Sequence, residues 1–240
     1  MRIAGRISEK NLHAEQSRPV TLAFLGDSVT HGCFEIFREG ENGIDTRFCI
    51  HEAYHHKLKK LIEELFPRVC VGIIDAGING DSAAGGLARV DRDVISYKPD
   101  LCVVCFGLND VNAGIQNLNK YTEALEGIFS KLQAADIETI FMTPNMLGTR
   151  VLYEDSEFIR GILPSIITHQ LNGDMDAYMD AARAVAQKMG VTVCDCYAKW
   201  KKLDSYGCDI THLLANHVNH PTENMHWLFA KSLLETMFEV

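Results

Sequence analysis

The fold is decided by residues 22–28, Leu-Ala-Phe-Leu-Gly-Asp-Ser, where an apolar run ends in Gly-Asp-Ser. The run does not alternate between apolar and polar residues, which is typical of a strand covered on both faces in a parallel sheet. In such sheets the reacting groups lie beyond the carboxyl ends of the strands. The stretch therefore predicts a buried strand that delivers Ser28 to the functional edge of a sheet.

Short apolar runs of this kind recur along the chain and alternate with amphipathic stretches. The predicted strands are Thr21–Leu25, Val69–Ile74, Leu101–Phe106, Thr139–Met142 and Val191–Cys194. The predicted helices span residues 58–65, 87–95, 121–132 and 178–189, with a last one starting near Thr222. Alternating strands and helices indicate a parallel sheet with right-handed crossovers. A chain of 240 residues fits one domain, residues 1–240, of the doubly wound α/β class.

Composition excludes several classes of partner. The formal net charge is −9 and no Lys/Arg run offsets it, so binding to a nucleic-acid backbone is not expected. No apolar stretch is long enough for a membrane span, and the polar segment Met1–Arg18 lacks a signal-peptide core. The eight cysteines show no disulfide framework, which predicts a reducing compartment, the cytoplasm. The expected partner is a small molecule, and nothing in the sequence indicates the oligomeric state.

Three further segments supply the groups that a serine nucleophile needs. Gly80 follows the second predicted strand, Asn109 follows the third, and His220 precedes the last helix. A serine hydroxyl requires a base, for which His220 is the candidate. The oxyanion requires preplaced donors, which Ser28 and Gly80 offer as backbone N–H groups and Asn109 as a side-chain amide. Their shared position after parallel strands predicts that these residues meet.

With these blocks the chain resembles the SGNH hydrolase superfamily, also called GDSL esterases and lipases. The matching segments are Gly26-Asp27-Ser28, Gly77-Ile78-Asn79-Gly80-Asp81-Ser82, Gly107-Leu108-Asn109-Asp110 and His220-Pro221. The resemblance implies a flavodoxin-like three-layer α/β/α sandwich with a central five-stranded parallel sheet. It also implies that Ser28 is the nucleophile, that Ser28, Gly80 and Asn109 form the oxyanion hole, and that His220 is the base.

One position departs from the family pattern. The family usually carries Asp three residues before the catalytic His, whereas this chain has His217 there. Asp209 from an upstream turn, a backbone carbonyl, Asn216, or His217 itself is therefore a candidate for orienting His220. A serine–histidine dyad and a displaced acid are both left open.

Other residues near the predicted edge are candidates for substrate contacts. Asp27 is expected to form structural hydrogen bonds next to the serine, and Asn145 and Met146 follow the fourth predicted strand. The weakly periodic stretch Thr143–Gly173 is expected to hold a loop or short helices over the site and to carry substrate selectivity.

Two alternatives from other classes remain. His51, Glu52 and His55 match the letters of the zinc motif H-E-x-x-H, but no third ligand stands out. The missing Asp before His220 makes a catalytically inactive binding domain conceivable. The favoured hypothesis is a serine esterase without metal or cofactor that forms an acyl-enzyme on Ser28. Its substrate would be a small or medium acyl ester, namely an acetylated sugar, a short-chain ester or a thioester.

Overall fold

Five parallel strands form the central sheet. The computed structural model describes residues 1–39 and 43–239. The strands are β1 (Val20–Gly26), β4 (Val71–Gly77), β5 (Leu101–Cys105), β6 (Glu138–Met142) and β7 (Thr192–Cys194). They lie in the order β4-β1-β5-β6-β7 and every pair is parallel. Counted along the chain, this is the 2-1-3-4-5 order of flavodoxin-like folds, which confirms the predicted fold class.

Helices cover both faces of the sheet. They are α1 (Arg2–Leu12), α2 (Tyr54–Leu65), α3 (Ala83–Asp93), α4 (Leu118–Ala134), α5 (Glu157–Leu171), α6 (Asp174–Lys188), α7 (Cys196–Ser205) and α8 (His226–Phe238). On one face α8 packs against α1, α2 and α7, and on the other α4 packs against α3 and α6. All of β5 and residues 22–26 of β1 are buried between these layers, as expected for strands without apolar–polar alternation.

Helix α7 and two other elements were not predicted from the sequence. An antiparallel hairpin of β2 (Cys33–Glu39) and β3 (Gly43–Phe48) forms a separate two-stranded sheet. Helix α1 lies within the segment that the sequence analysis treated only as polar, and it buries Ile3 and Ile7 one turn apart. That i, i+4 pair was the only helical signal in the segment.

The weakly periodic stretch after β6 contains more regular structure than expected. Helix α5 spans 15 residues and begins after Ser156, whose Oγ accepts a hydrogen bond from the Ile159 N–H. Such an N-cap satisfies one of the free N–H groups of the first turn. Residues 143–156 therefore remain as the loop that leaves the functional edge at β6, and we call this segment the β6 loop.

Within residues 1–39 and 43–239, no helix combines the length and apolarity that a membrane crossing requires. All eight cysteines are free thiols.

Candidate active site

The loops that leave β1, β4 and β5 depart side by side. Gly26 at the end of β1 is in register with Gly77 of β4 and Cys105 of β5. The absence of side chains at the two glycines is needed, because a Cβ on Gly26 would lie 2.1 Å from Thr30 Oγ1 and one on Gly77 would lie 2.2 Å from the His31 nitrogen. This close approach places the turn that carries Ser28 against the end of β4.

Ser28 and His220 are in direct contact. Ser28 Oγ lies 2.8 Å from His220 Nε2, although 192 positions separate the two residues. His220 Nδ1 lies 3.0 Å from the backbone carbonyl oxygen of Phe34. Since a carbonyl oxygen only accepts, Nδ1 carries the proton and donates it to Phe34. The Nε2 lone pair then faces the serine hydroxyl, which is the arrangement that a general base requires.

The Phe34 carbonyl is free for this contact because of a β-bulge. Cys33 pairs with Phe48 and Glu35 pairs with Arg47, so the ladder shifts at Phe34. A bulge leaves its extra residue outside the ladder, and the carbonyl turns to His220 instead. The hairpin that carries Phe34 is fastened to the segment after His220 by a 3.0 Å contact between Arg47 and Glu223.

Burial sets the protonation of the base. His220 is 3% exposed and Ser28 is 2% exposed. Burial lowers the pKa of His220 to about 4, and the hydrogen bond to the Phe34 carbonyl opposes this shift only in part. A neutral carbonyl stabilises an imidazolium less than a carboxylate would. The imidazole is therefore neutral, and able to accept a proton, over the whole physiological pH range.

Free N–H donors surround the same edge. Gly80 has a φ of +76°, a conformation that glycine adopts without strain, and no heavy atom lies within 4 Å of where its Cβ would be. In the described ranges, the backbone N–H groups of Ser28 and Gly80 donate to no protein acceptor. Asn109 Nδ2 donates to the Asp81 carbonyl at 2.8 Å, which leaves its second amide hydrogen available. Gly80 and Asn109 line one cavity of about 370 Å³.

A buried guanidinium holds these loops in place. Arg89 of α3 is 7% exposed and donates to the carbonyls of Ala76 at 2.6 Å and Gly26 at 2.9 Å. Its Nε also bonds the Asp81 carboxylate at 2.7 Å. Arg89 thus links the ends of β1 and β4 to the residue that follows Gly80.

The three side chains named as candidates for orienting His220 have other partners. Asn216 Oδ1 accepts the backbone N–H groups of Val218, Asn219 and His220 at 2.9–3.0 Å, so it shapes the turn and does not touch the imidazole. Asp209 pairs with Arg150, and this bond together with one to His212 lowers the pKa of Asp209 to about 2. His217 Nδ1 contacts Asp155 at 2.6 Å.

The structure buries the three candidate substrate contacts. Asp27 is 1% exposed, Asn145 is fully buried and Met146 is 2% exposed. Asp27 Oδ1 accepts the Val29 N–H at 3.0 Å, and burial raises the pKa of Asp27 to about 7. Asn145 Nδ2 donates to the carbonyl of Asn219, next to His220, at 2.8 Å. Their part in binding substrate stays a prediction.

The residues of the H-E-x-x-H motif do not lie on one face of a helix. His51 and Glu52 lie in a separate 3-10 turn, and Ala53 has an extended backbone before α2 begins. Glu52 pairs with Lys57, and the fully buried His55 contacts the Thr30 carbonyl through Nε2 at 2.9 Å. In the part of the chain that the structure describes, no group of three or more His, Cys, Asp or Glu side chains is arranged to hold a metal ion.

Comparisons with known proteins identify the family of the chain. The profile of the GDSL-like lipase/acylhydrolase family matches residues 24–228. An acetylxylan esterase of Geobacillus stearothermophilus is 32% identical over 90 residues, which are 38% of this chain and only 39% of that esterase.

Solved structures share the fold. A structure of an acetylxylan esterase from Geobacillus stearothermophilus superposes with a TM-score of 0.66 at 22% identity, over 91% of this chain and 94% of that one. A two-domain esterase active on acetylated mannans superposes with a TM-score of 0.66 at 16% identity, over 98% of this chain and 52% of that one.

Proposed function

The chain belongs to the GDSL-like lipase/acylhydrolase family of serine carboxylic ester hydrolases, and we propose that it hydrolyses acetyl esters of sugars through an acyl-enzyme on Ser28. The observation that carries the proposal is the 2.8 Å contact between Ser28 Oγ and His220 Nε2. Among the described residues, the backbone N–H groups of Ser28 and Gly80, which follow neighbouring strands, have no protein acceptor. The sugar ester is suggested by relatives that act on acetylated xylan and mannan.

In the proposed first half-reaction, Ser28 Oγ attacks the ester carbonyl carbon while His220 Nε2 takes the hydroxyl proton. The carbonyl oxygen becomes an oxyanion and accepts hydrogen bonds from the N–H groups of Ser28 and Gly80 and from the Asn109 amide. When the C–O bond to the alcohol breaks, His220 returns its proton to the departing oxygen. The acetyl group is then bonded to Ser28.

The second half-reaction repeats these steps with water. His220 Nε2 takes a proton from the water, whose oxygen attacks the acyl carbon, and the same donors hold the oxyanion. Collapse breaks the bond to Ser28 Oγ, which recovers its proton from His220, and acetate is released. Every step uses side chains and backbone of this chain, and none requires a metal or an organic cofactor.

The burial of the dyad supports a small acyl group. Ser28 and His220 are 2% and 3% exposed, so little of either side chain is open to solvent. A long acyl chain would require the surrounding loops to move, which costs binding energy. We therefore expect 4-nitrophenyl acetate to be hydrolysed faster than the butyrate, and the octanoate slowest.

The test is hydrolysis of an acetylated xylo-oligosaccharide, followed as released acetate, together with labelling by a fluorophosphonate. The parent protein is expected to do both, Ser28→Ala neither, and the matched variant Ser96→Ala, which changes an exposed serine, both at the parent rate. Activity retained in Ser28→Ala, or activity lost on chelation, would overturn the serine mechanism. Turnover of 4-nitrophenyl acetate without turnover of the sugar ester would overturn only the substrate class.

A further inference from the structure

We propose that His217 and Asp155 are positioning residues, which clamp the segment 216–220 onto the β6 loop and so keep His220 in contact with Ser28. The inference rests on the proposed function of Ser28 and His220. It gives a role to His217, which occupies the position of the family's usual Asp, and to Asp155, which lies on the β6 loop.

The backbone of His217 indicates that its surroundings impose its conformation. His217 has a φ of +57°, in the left-handed region that disfavours residues with a Cβ. Such a conformation persists where neighbouring contacts enforce it, and it is found most often at functional sites. Here the contact is the one between His217 Nδ1 and Asp155 Oδ1 at 2.6 Å.

Asp155 offers a fixed place for this contact. Its side chain is 0% exposed, and Asp155 Oδ2 accepts the Leu152 N–H at 2.5 Å. Arg160 of α5 donates to the Asp155 carbonyl at 2.9 Å. A buried carboxylate is costly without a partner, and the imidazole of His217 supplies an N–H to its second oxygen. The pair therefore connects the start of α5 to the turn before His220.

Further contacts join the same two segments. The Gly148 N–H donates to the Val218 carbonyl at 2.7 Å, and Asn145 Nδ2 donates to the Asn219 carbonyl at 2.8 Å. A Cβ on Gly148 would lie 2.4 Å from the His217 carbonyl oxygen, so the two backbones are in contact. A shift of His217 would consequently move the residues that lead directly to His220.

From this geometry we expect that replacing His217 by Asp, the usual residue of the family at this position, will lower activity. An Asp at position 217 would face the buried carboxylate of Asp155, while the Phe34 carbonyl already holds the Nδ1 proton of His220. Two facing carboxylates repel each other. The replacement is therefore expected to displace the turn and not to create a catalytic triad.

The experiment compares His217→Asp, Asp155→Asn and the exchange variant His217→Asp/Asp155→His. We expect the first two to lower kcat for acetate release, and the rate of fluorophosphonate labelling, by about 10- to 100-fold with KM little changed, because small displacements of a base cost that much. His217→Asp is expected to lose more than Asp155→Asn. The exchange variant is expected to recover much of the loss, which a general loss of folding would not allow.

The matched control is Arg150→Gln, since Arg150 also lies on the β6 loop but forms its exposed ion pair with Asp209, outside segment 216–220. It is expected to stay within about twofold of the parent, because exposed pairs contribute little. Circular dichroism verifies folding of each variant. His217→Asp at or above the parent rate, or Asp155→Asn at the parent rate, would overturn the clamp. A parent protein that neither reacts with the probe nor releases acetate would instead refute the proposed function.

Discussion

Replacement of Arg89 by Met should damage both stability and turnover. Met fills similar space but donates no hydrogen bond, so the carbonyls of Gly26 and Ala76 lose a donor and the Asp81 carboxylate loses its cationic partner. Removing one partner of a buried ion pair typically costs about 3–5 kcal/mol. For a protein of this size each kcal/mol lowers Tm by about 2–4 °C, which gives a decrease of about 6–20 °C.

The catalytic effect should follow from the same bonds. Gly26 lies just before the turn of Ser28, and the Asp81 carbonyl accepts the amide of Asn109. We expect kcat of the folded Arg89→Met protein to fall about 10- to 100-fold, because the proposed nucleophile and the proposed oxyanion donors would lose their relative alignment. The kcat of Arg89→Lys should lie between those of the parent and of Arg89→Met, since one ammonium group cannot reach all three acceptors.

Arg92→Met is the matched control for this prediction. Arg92 lies on the same helix and bonds the same Asp93 as Arg89 does, but its side chain is 74% exposed. Its replacement should leave Tm and kcat unchanged within error. The measurements are thermal denaturation by circular dichroism and acetate release below each variant's Tm. If Arg89→Met behaves like Arg92→Met, the buried guanidinium does not hold the loops together.

Three further results are expected. Because His220 must be neutral and its pKa is lowered to about 4, kcat/KM for acetate release should be half-maximal near that pH, and a midpoint at 6.5 or above would contradict the buried dyad. Asn109→Ala should lower kcat about 10²- to 10³-fold without moving that midpoint, and a loss below about threefold would remove Asn109 from the oxyanion hole. Burial raises the pKa of Asp27 from 3.8 to about 7, so its contribution to stability is complete below about pH 4 and is lost as the pH rises through 7. Thermal denaturation from roughly pH 4 to pH 8 should therefore show the parent losing stability relative to Asp27→Asn, and a constant difference in Tm would refute this.

The sheet could be predicted because its three central strands, β1, β5 and β6, are covered on both faces. Burial of all sides leaves short, continuous apolar runs such as residues 101–105, which stand out in a sequence. Helix α1 and the hairpin gave weaker signals. In α1 only Ile3 and Ile7 mark the buried face, and in β2 the alternation of Phe34 and Ile36 with Glu35 was the available sign of a half-buried strand.

The candidate site could likewise be predicted only in part. Ser28, Gly80 and Asn109 follow neighbouring parallel strands, so their position at one edge of the sheet could be predicted from the sequence. The acceptor for His220 Nδ1 could not be identified, because a backbone carbonyl has no residue type to recognise. A backbone carbonyl is one of the alternatives that the sequence leaves open, but selecting Phe34 requires knowledge of where the ladder between β2 and β3 shifts.

That bulge has a consequence for how the enzyme tolerates mutation. An orienting carboxylate can be deleted by a single codon change, whereas every amino acid at position 34 brings the same main-chain oxygen. A saturation scan at this position should therefore leave the hydrogen bond available, whereas removing one residue from the bulge would realign the hairpin and withdraw the oxygen. The orientation of His220 towards Ser28 thus depends on the number of residues in β2 and not on the identity of a side chain.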